Sequence, residues 1–177
     1  SAQNQTKLPL LGKFSFNVEE IFEAVHTYIN DFNQKGSDFI LSDFDIYTAE
    51  NFENGALHSI HPYLSPNADN KDFNFSTFLK RPIVIAEEGS MTFDEVVLVE
   101  PGELLSDYGD DEFWDYVIVE GSKDYGEIWW PLADCYDSGD KSVWKQNYND
   151  GIVGQESRTQ GTSEWFFNRE ISLVETE

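Results

Sequence analysis

WDYVIVEGSKDYGEIWWPL, residues 114–132, is the stretch on which the fold turns. WDYVIVEG (114–121) is rich in β-branched and aromatic residues, the composition of a strand half covered by its neighbours. Ser122-Lys123-Asp124-Tyr125-Gly126 carries the polar and glycine chemistry of a turn. EIWWPL (127–132) then returns as a second strand, so the stretch predicts an antiparallel hairpin. Side chains alternate across a strand, so adjacent Trp129 and Trp130 point to opposite faces. One indole is expected in the core. The other is either covered by a loop, the commoner result in a sandwich, or left in water, where a flat ring is a stacking surface for a sugar.

Outward from the hairpin the same two-residue period recurs. DFILSDFDIYT (38–48) alternates, with a slip near its middle that suggests a bulge. RPIVIA (81–86) and MTFDEVVLVE (91–100) read as strands joined by a tight Glu87-Glu88-Gly89-Ser90 turn, and REISLVE (169–175) is the last. Residues 49–80 and 133–163 read as long loops, with Trp144 and Tyr148 as anchors. Short strands between Gly- and Asp-bearing turns predict a mainly β chain, an antiparallel β-sandwich of jelly-roll type.

One segment breaks the period. In NVEEIFEAVHTYINDFNQKG (17–36), Val18, Ile21, Phe22, Val25, Tyr28, Ile29 and Phe32 take the spacing of one helical face. Asn17 with Glu20 makes a capping-box pattern, and Gly36 is a stop. An amphipathic helix is predicted over 18–34, within an N-terminal segment 1–37, with the sandwich domain over 38–177.

The 177 residues are 40 % hydrophobic and 15 % aromatic, enough for a real core. The formal charge of −23 argues against nucleic acid and anionic membrane surfaces, which are bound through Lys and Arg. No apolar run is long enough to insert in a membrane as a helix. Cys135 is the sole cysteine, so an internal disulfide and a thiolate zinc site are both excluded. His58 and His61 form H-x-x-H, but Pro62 follows at once and denies them a helix. Aromatic packing or a hydrogen bond to backbone suits them better than zinc.

FWDYVIVEGSKDYGEIWWPLADCYDS (113–138) resembles the strand–turn–strand of jelly-roll modules in large secreted and surface proteins of bacteria that use type IX secretion. These modules are similar to cleaved-adhesin and MAM-type domains. Gly126 and Trp130 fall where the pattern holds the turn and the following strand. ALHSIHPYL (56–64) and FDEVVLVEPGE (93–103) also resemble segments of such modules, so that the likeness covers roughly 38–145. The resemblance implies a secreted or cell-surface location and a non-catalytic role in adhesion, in carbohydrate or protein binding, or beside an enzyme. It also implies calcium as a structural ion. Such modules close with a further strand and a Gly-Trp-rich segment, and a jelly roll needs about eight strands where six are legible. The chain is therefore expected to continue past Glu177, with neighbouring domains.

The acids favour the same view. Residues 106–126 hold seven carboxylates and one lysine. Calcium takes six to eight oxygens from carboxylates, carbonyls and water. Asp107, Asp110 and Asp111 supply short acids on a Gly-containing loop, Asp115 begins the next strand, and Glu100 ends the preceding one. Those five are the candidate calcium ligands; the alternative is a solvated acidic rim. The EF-hand pattern is absent, because the twelfth position from Asp107 is Ile118. Trp114, Trp129, Trp130 and His58 are the candidate ligand contacts. No G-x-S-x-G elbow or glycosidase spacing is present, and Asp137-Ser138-Gly139 occurs once where aspartic proteases need two copies. The sequence thus predicts an extracellular binding module for carbohydrate or a surface protein. A polysaccharide hydrolase or lyase on the same fold is the runner-up, and a spacer without ligand is the third reading.

Overall fold

The computed structural model describes residues 20–63, 73–154 and 156–173. Among these described residues ten short strands and one α-helix follow in order, and every ladder is antiparallel and two-stranded. β1 (Phe39–Ile40) pairs with β4 (Phe78–Leu79), and β2 (Phe44–Tyr47) with β3 (Ala56–Ser59). β6 (Glu120–Gly121) pairs with β7 (Trp130–Pro131), and β8 (Ile152–Val153) with β9 (Glu156–Ser157). The longest ladder joins β5 (Ser90–Glu95) to β10 (Phe167–Ser172), in register Phe93↔Arg169. The helix, α1, spans Ser142–Asp150. The chain is mainly β. Among the described residues no helix is long and apolar enough to cross a membrane.

The predicted hairpin forms, because its turn is built from its own side chains. The Ser122 hydroxyl accepts the Gly126 N–H (2.7 Å), and Asp124 accepts the Ile128 N–H (2.9 Å). Tyr125 and Gly126 both take positive φ, a region that costs glycine least. Beyond β6 and β7 the pairing runs on through a Val117↔Tyr136 bridge. The slip in 38–48 is a full turn rather than a bulge. Phe44 N–H reaches Leu41 C=O (2.6 Å), Ser42 has φ 42°, and β1 and β2 leave in different ladders.

The predicted helix at 18–34 is overturned over its described part, residues 20–34, which are irregular. Its backbone groups are spent across the chain instead. Phe22 and Val25 donate to Lys80 and Pro82 C=O (3.0 Å each), and Val84 donates to Val25 (2.8 Å), with Val25 and Ile83 bridged in parallel. The Asn30 and Asp31 side chains then accept the Phe32 and Asn33 N–H groups. Asn and Asp compete in this way with helical bonding. Ile29, placed on the predicted apolar face, is 87 % exposed. Asn17 and Val18 lie outside the described residues.

Two further expectations are corrected. RPIVIA contributes only the Ile83 bridge, and the partner of β5 is the distant β10 rather than its sequence neighbour. The stretch 133–163, read as a loop, contains α1. Its anchors are nevertheless the predicted ones: Trp144 is fully buried and Tyr148 nearly so, one helical turn apart. They form the core with Val97, Leu98 and Tyr136, and Val96, Val99, Val117, Val143 and Trp165 pack against it. Trp144 also donates its indole N–H to Trp165 C=O (2.8 Å), so its one polar atom is satisfied on burial. The second half of MTFDEVVLVE thus leaves the ladder to become core.

Candidate functional site

The segment from Glu100 to Pro131 runs along this core and turns most of its aromatic rings outward. The acidic loop at its start folds on its own carboxylates. Asp110 C=O and Asp107 C=O accept Phe113 N–H (3.2 Å) and Asp110 N–H (3.0 Å), and the Asp110 carboxylate accepts the Asp107 N–H (3.0 Å). Glu103 and Glu112 close the loop through their backbones (3.0 Å). Leu105 and Gly109 carry positive φ, which turns Leu104 and Leu105 into solvent.

Asp115 and Glu100 belong to a different place. Tyr63 donates its hydroxyl to Asp115 (2.6 Å) and accepts the Glu100 backbone N–H (2.8 Å). The Tyr148 hydroxyl lies 3.4 Å from that of Tyr63. Burial, and then the Asp115 carboxylate, push the Tyr63 phenol far above its ordinary range. Burial and the charge of Asp115 likewise raise the Glu100 carboxyl. Of the five predicted calcium ligands, the Asp110 carboxylate is used in the turn, Asp107 joins that turn through its backbone, and Asp115 is bonded to Tyr63 near Glu100. Among the described residues no three acidic, histidine or cysteine side chains gather as a metal shell.

The candidate contact residues are distributed as follows. Trp114, Trp129 and Trp130 are 50 %, 39 % and 45 % exposed. Neither member of the Trp129–Trp130 pair enters the core. Trp129 rests on Phe78 (ring centroids 5.4 Å) and over Gly126, where a Cβ would meet the indole at 3.3 Å. Next to Trp114, an aromatic triad forms. Tyr108 meets Tyr116 edge-on (5.0 Å) and Phe113 (6.3 Å), and Phe113 stacks on Tyr116 (6.2 Å). Burial raises the Tyr116 phenol, assisted by Tyr108 and by the charge of Glu120. Burial raises the Cys135 thiol as well, with the charges of Asp134 and Glu120 adding to it. The sequence reading missed Tyr108, Phe113 and Tyr116. The spacing of Trp114 and Tyr116, two apart in a predicted strand, was the signal for them.

His58 is packed rather than presented. It stacks on Tyr47 (4.3 Å) and meets Phe52 edge-on (5.1 Å), and its Nε2 is buried with no hydrogen-bond partner. His61 bonds through Nε2 to Thr159 C=O. The two histidines are thus held by aromatic packing and by backbone, as expected. Asp137, from the Asp-Ser-Gly tripeptide, accepts the Gly102 N–H (2.8 Å) and the Gly139 N–H (2.5 Å). It ties the start of the acidic loop to a single 3-10 turn at Ser138–Asp140. Compared with models of protein families, with curated proteins and with solved structures, the chain finds no match.

Proposed function

We propose that the chain is a non-catalytic recognition module of a secreted or cell-surface protein. Its ligand, a carbohydrate or a surface protein, docks on the aromatic and acidic face between Tyr108 and Pro131, and the strands are arranged as a jelly-roll-like sandwich. The exposure of Trp114, Trp129 and Trp130 together carries this reading. A folded chain gains from covering an indole, by about 25 cal/mol for each Å² of apolar surface. Three indoles left half in water on one segment suit a surface completed by a ligand. Calcium, which the family resemblance implies, has no step in this binding.

The experiment displays the protein on a glycan array and on a peptide array, beside the triple variant Trp114→Ala, Trp129→Ala, Trp130→Ala. Wild type is expected to bind on at least one array, and the variant to lose binding while still unfolding in one cooperative transition. Silence on both arrays, or binding that survives the triple change, overturns the reading. The hydrolase alternative would take its acid and partner from Glu100 and Asp115, which both meet Tyr63. Release of reducing ends from a polysaccharide panel, abolished by Glu100→Gln, would establish it in place of the binding reading.

A further inference from the structure

Asn-Gly occurs once in the chain, at Asn54-Gly55, in the loop that leads from β2 into β3. Asn54 is exposed, and Gly55 directly precedes β3. Both neighbours of Asn54 are pinned to segments far away in sequence. Glu53 donates its N–H to the Ser163 hydroxyl (2.8 Å), and Ser163 in turn donates its N–H to Asn51 C=O (3.1 Å). Gly55 donates its N–H to the Asn33 side-chain oxygen (2.9 Å). A larger residue does not fit at 55, because a Cβ there would run into the Phe32 carbonyl oxygen.

Glycine at this place has a chemical consequence. With no side chain to shield it, the Gly55 nitrogen has open access to the carboxamide carbon of Asn54. Attack forms the N–Cγ bond of a five-membered succinimide, and the Gly55 proton leaves with the carboxamide nitrogen as ammonia. Water then adds to one of the two ring carbonyls and breaks its bond to nitrogen. Opening at Cγ restores the backbone with Asp at 54. Opening at the backbone carbonyl leaves an isoaspartyl link, one methylene longer. The reacting nitrogen is the one that Asn33 holds. While it is bonded there and Glu53 is tied to Ser163, ring closure requires a local opening of the loop.

We propose that Asn54-Gly55 is a site of spontaneous hydrolytic modification restrained by the Asn33 side chain, and that isoaspartate formed there releases the end of segment 20–34 from the β2–β3 hairpin. The added methylene moves the Gly55 N–H off Asn33 and Gly55 away from Phe32. The chemistry needs only water and is independent of the binding role proposed above.

The test incubates the full chain at pH 8 and 37 °C and follows residue 54 by peptide mapping with fragmentation. Conversion is expected at Asn54 ahead of every other asparagine, and more slowly in the folded chain than in urea. Asn33→Ala frees the Gly55 N–H and is expected to speed conversion about fivefold, the weight of one hydrogen bond. Asn33→Asp keeps an acceptor and is expected to stay within about twofold of wild type. Asn54→Gln is expected to abolish the reaction, because its ring would need six members. Hydrogen exchange across 30–34 is expected to quicken in the isoaspartyl form and not in Asn54→Asp, which adds the charge alone. Equal rates in the folded chain and in urea, or a wild-type rate in Asn33→Ala, would overturn the inference. Equal acceleration in Asn33→Ala and Asn33→Asp would assign the effect to general loosening and overturn it too. Unchanged exchange across 30–34 in the isoaspartyl form would overturn the release.

Discussion

At the residue scale His58 is the most exposed to chemical test. Desolvation by Tyr47, Phe52 and the fold around them depresses its pKa below the ordinary 6.5, against a hydrogen bond to the Tyr47 backbone. Burial depresses His61 too, against its bond to Thr159. Between the folded and unfolded pKa values the unfolded chain binds more protons, so stability falls as pH falls. The contribution is fully present above about pH 7 and is lost progressively as pH drops below the unfolded value near 6.5. Asp45, the cross-strand partner of His58, is held by Lys35 and does not relieve the charge. Melting temperature measured from pH 7.5 to 5.5 is expected to fall. His58→Phe keeps the aromatic slot without a titrating ring and is expected to flatten that slope, with His61 supplying the remainder. A slope unchanged in His58→Phe would assign the effect elsewhere. The H-x-x-H pattern was legible as packing rather than zinc because Pro62 forbids the helical spacing. Which histidine stacks and which bonds to backbone depended on strands far away in sequence.

At the scale of elements, one side chain adds a polar tie from β10 to β5 and to the 3-10 turn, beyond the β5–β10 ladder. Arg169 bonds Glu95 on β5 and Asp140 in the 3-10 turn, and Tyr136 donates to the other oxygen of Glu95 (2.7 Å). Burial pulls the Asp140 carboxyl up, and Arg169 and Lys141 outweigh it and leave it below the usual range. Removing the guanidinium leaves two partly covered carboxylates beside each other. Arg169→Met is expected to cost about 2 kcal/mol, less than a fully buried pair because water reaches part of the cluster. Arg169→Lys keeps the charge but loses the fork and is expected to fall between. Urea unfolding checks this: the midpoint is expected to fall at constant slope. The β5–β10 ladder was half legible, since both strands alternate in the sequence. Their pairing was not, because 81–86 reads as well as a partner and lies nearer. The helices show the opposite failure. Residues 20–34 carry apolar spacing and a capping pattern yet give their N–H groups to 80–82, while α1 starts without a side-chain cap. Trp144 and Tyr148 at i, i+4 and Gly151 as terminator were the signals for α1.

At the scale of the whole molecule the charge of −23 works against compaction. Raising NaCl from 10 mM to 0.3 M is expected to stabilise the fold by about 1–2 kcal/mol, or roughly 2–8 °C in a chain of this size. Calcium and magnesium chloride at matched ionic strength are expected to give the same melting temperature. An excess shift with calcium alone would mean that the acids around 107–115 draw together on the ion. The sequence by itself determined the strand-rich character, the 114–132 hairpin, the anchoring by Trp144 and Tyr148, and the concentration of acids and rings along 100–130. These are properties of short windows, where alternation, turn chemistry and composition act between near neighbours. Only the tertiary structure decided that 20–34 is irregular, that β5 pairs with β10, that Asp115 and Glu100 meet at Tyr63, and that both Trp129 and Trp130 stay in water. Each depends on which distant backbone or ring is within reach, and local propensities of about 1 kcal/mol or less per residue yield to such contacts.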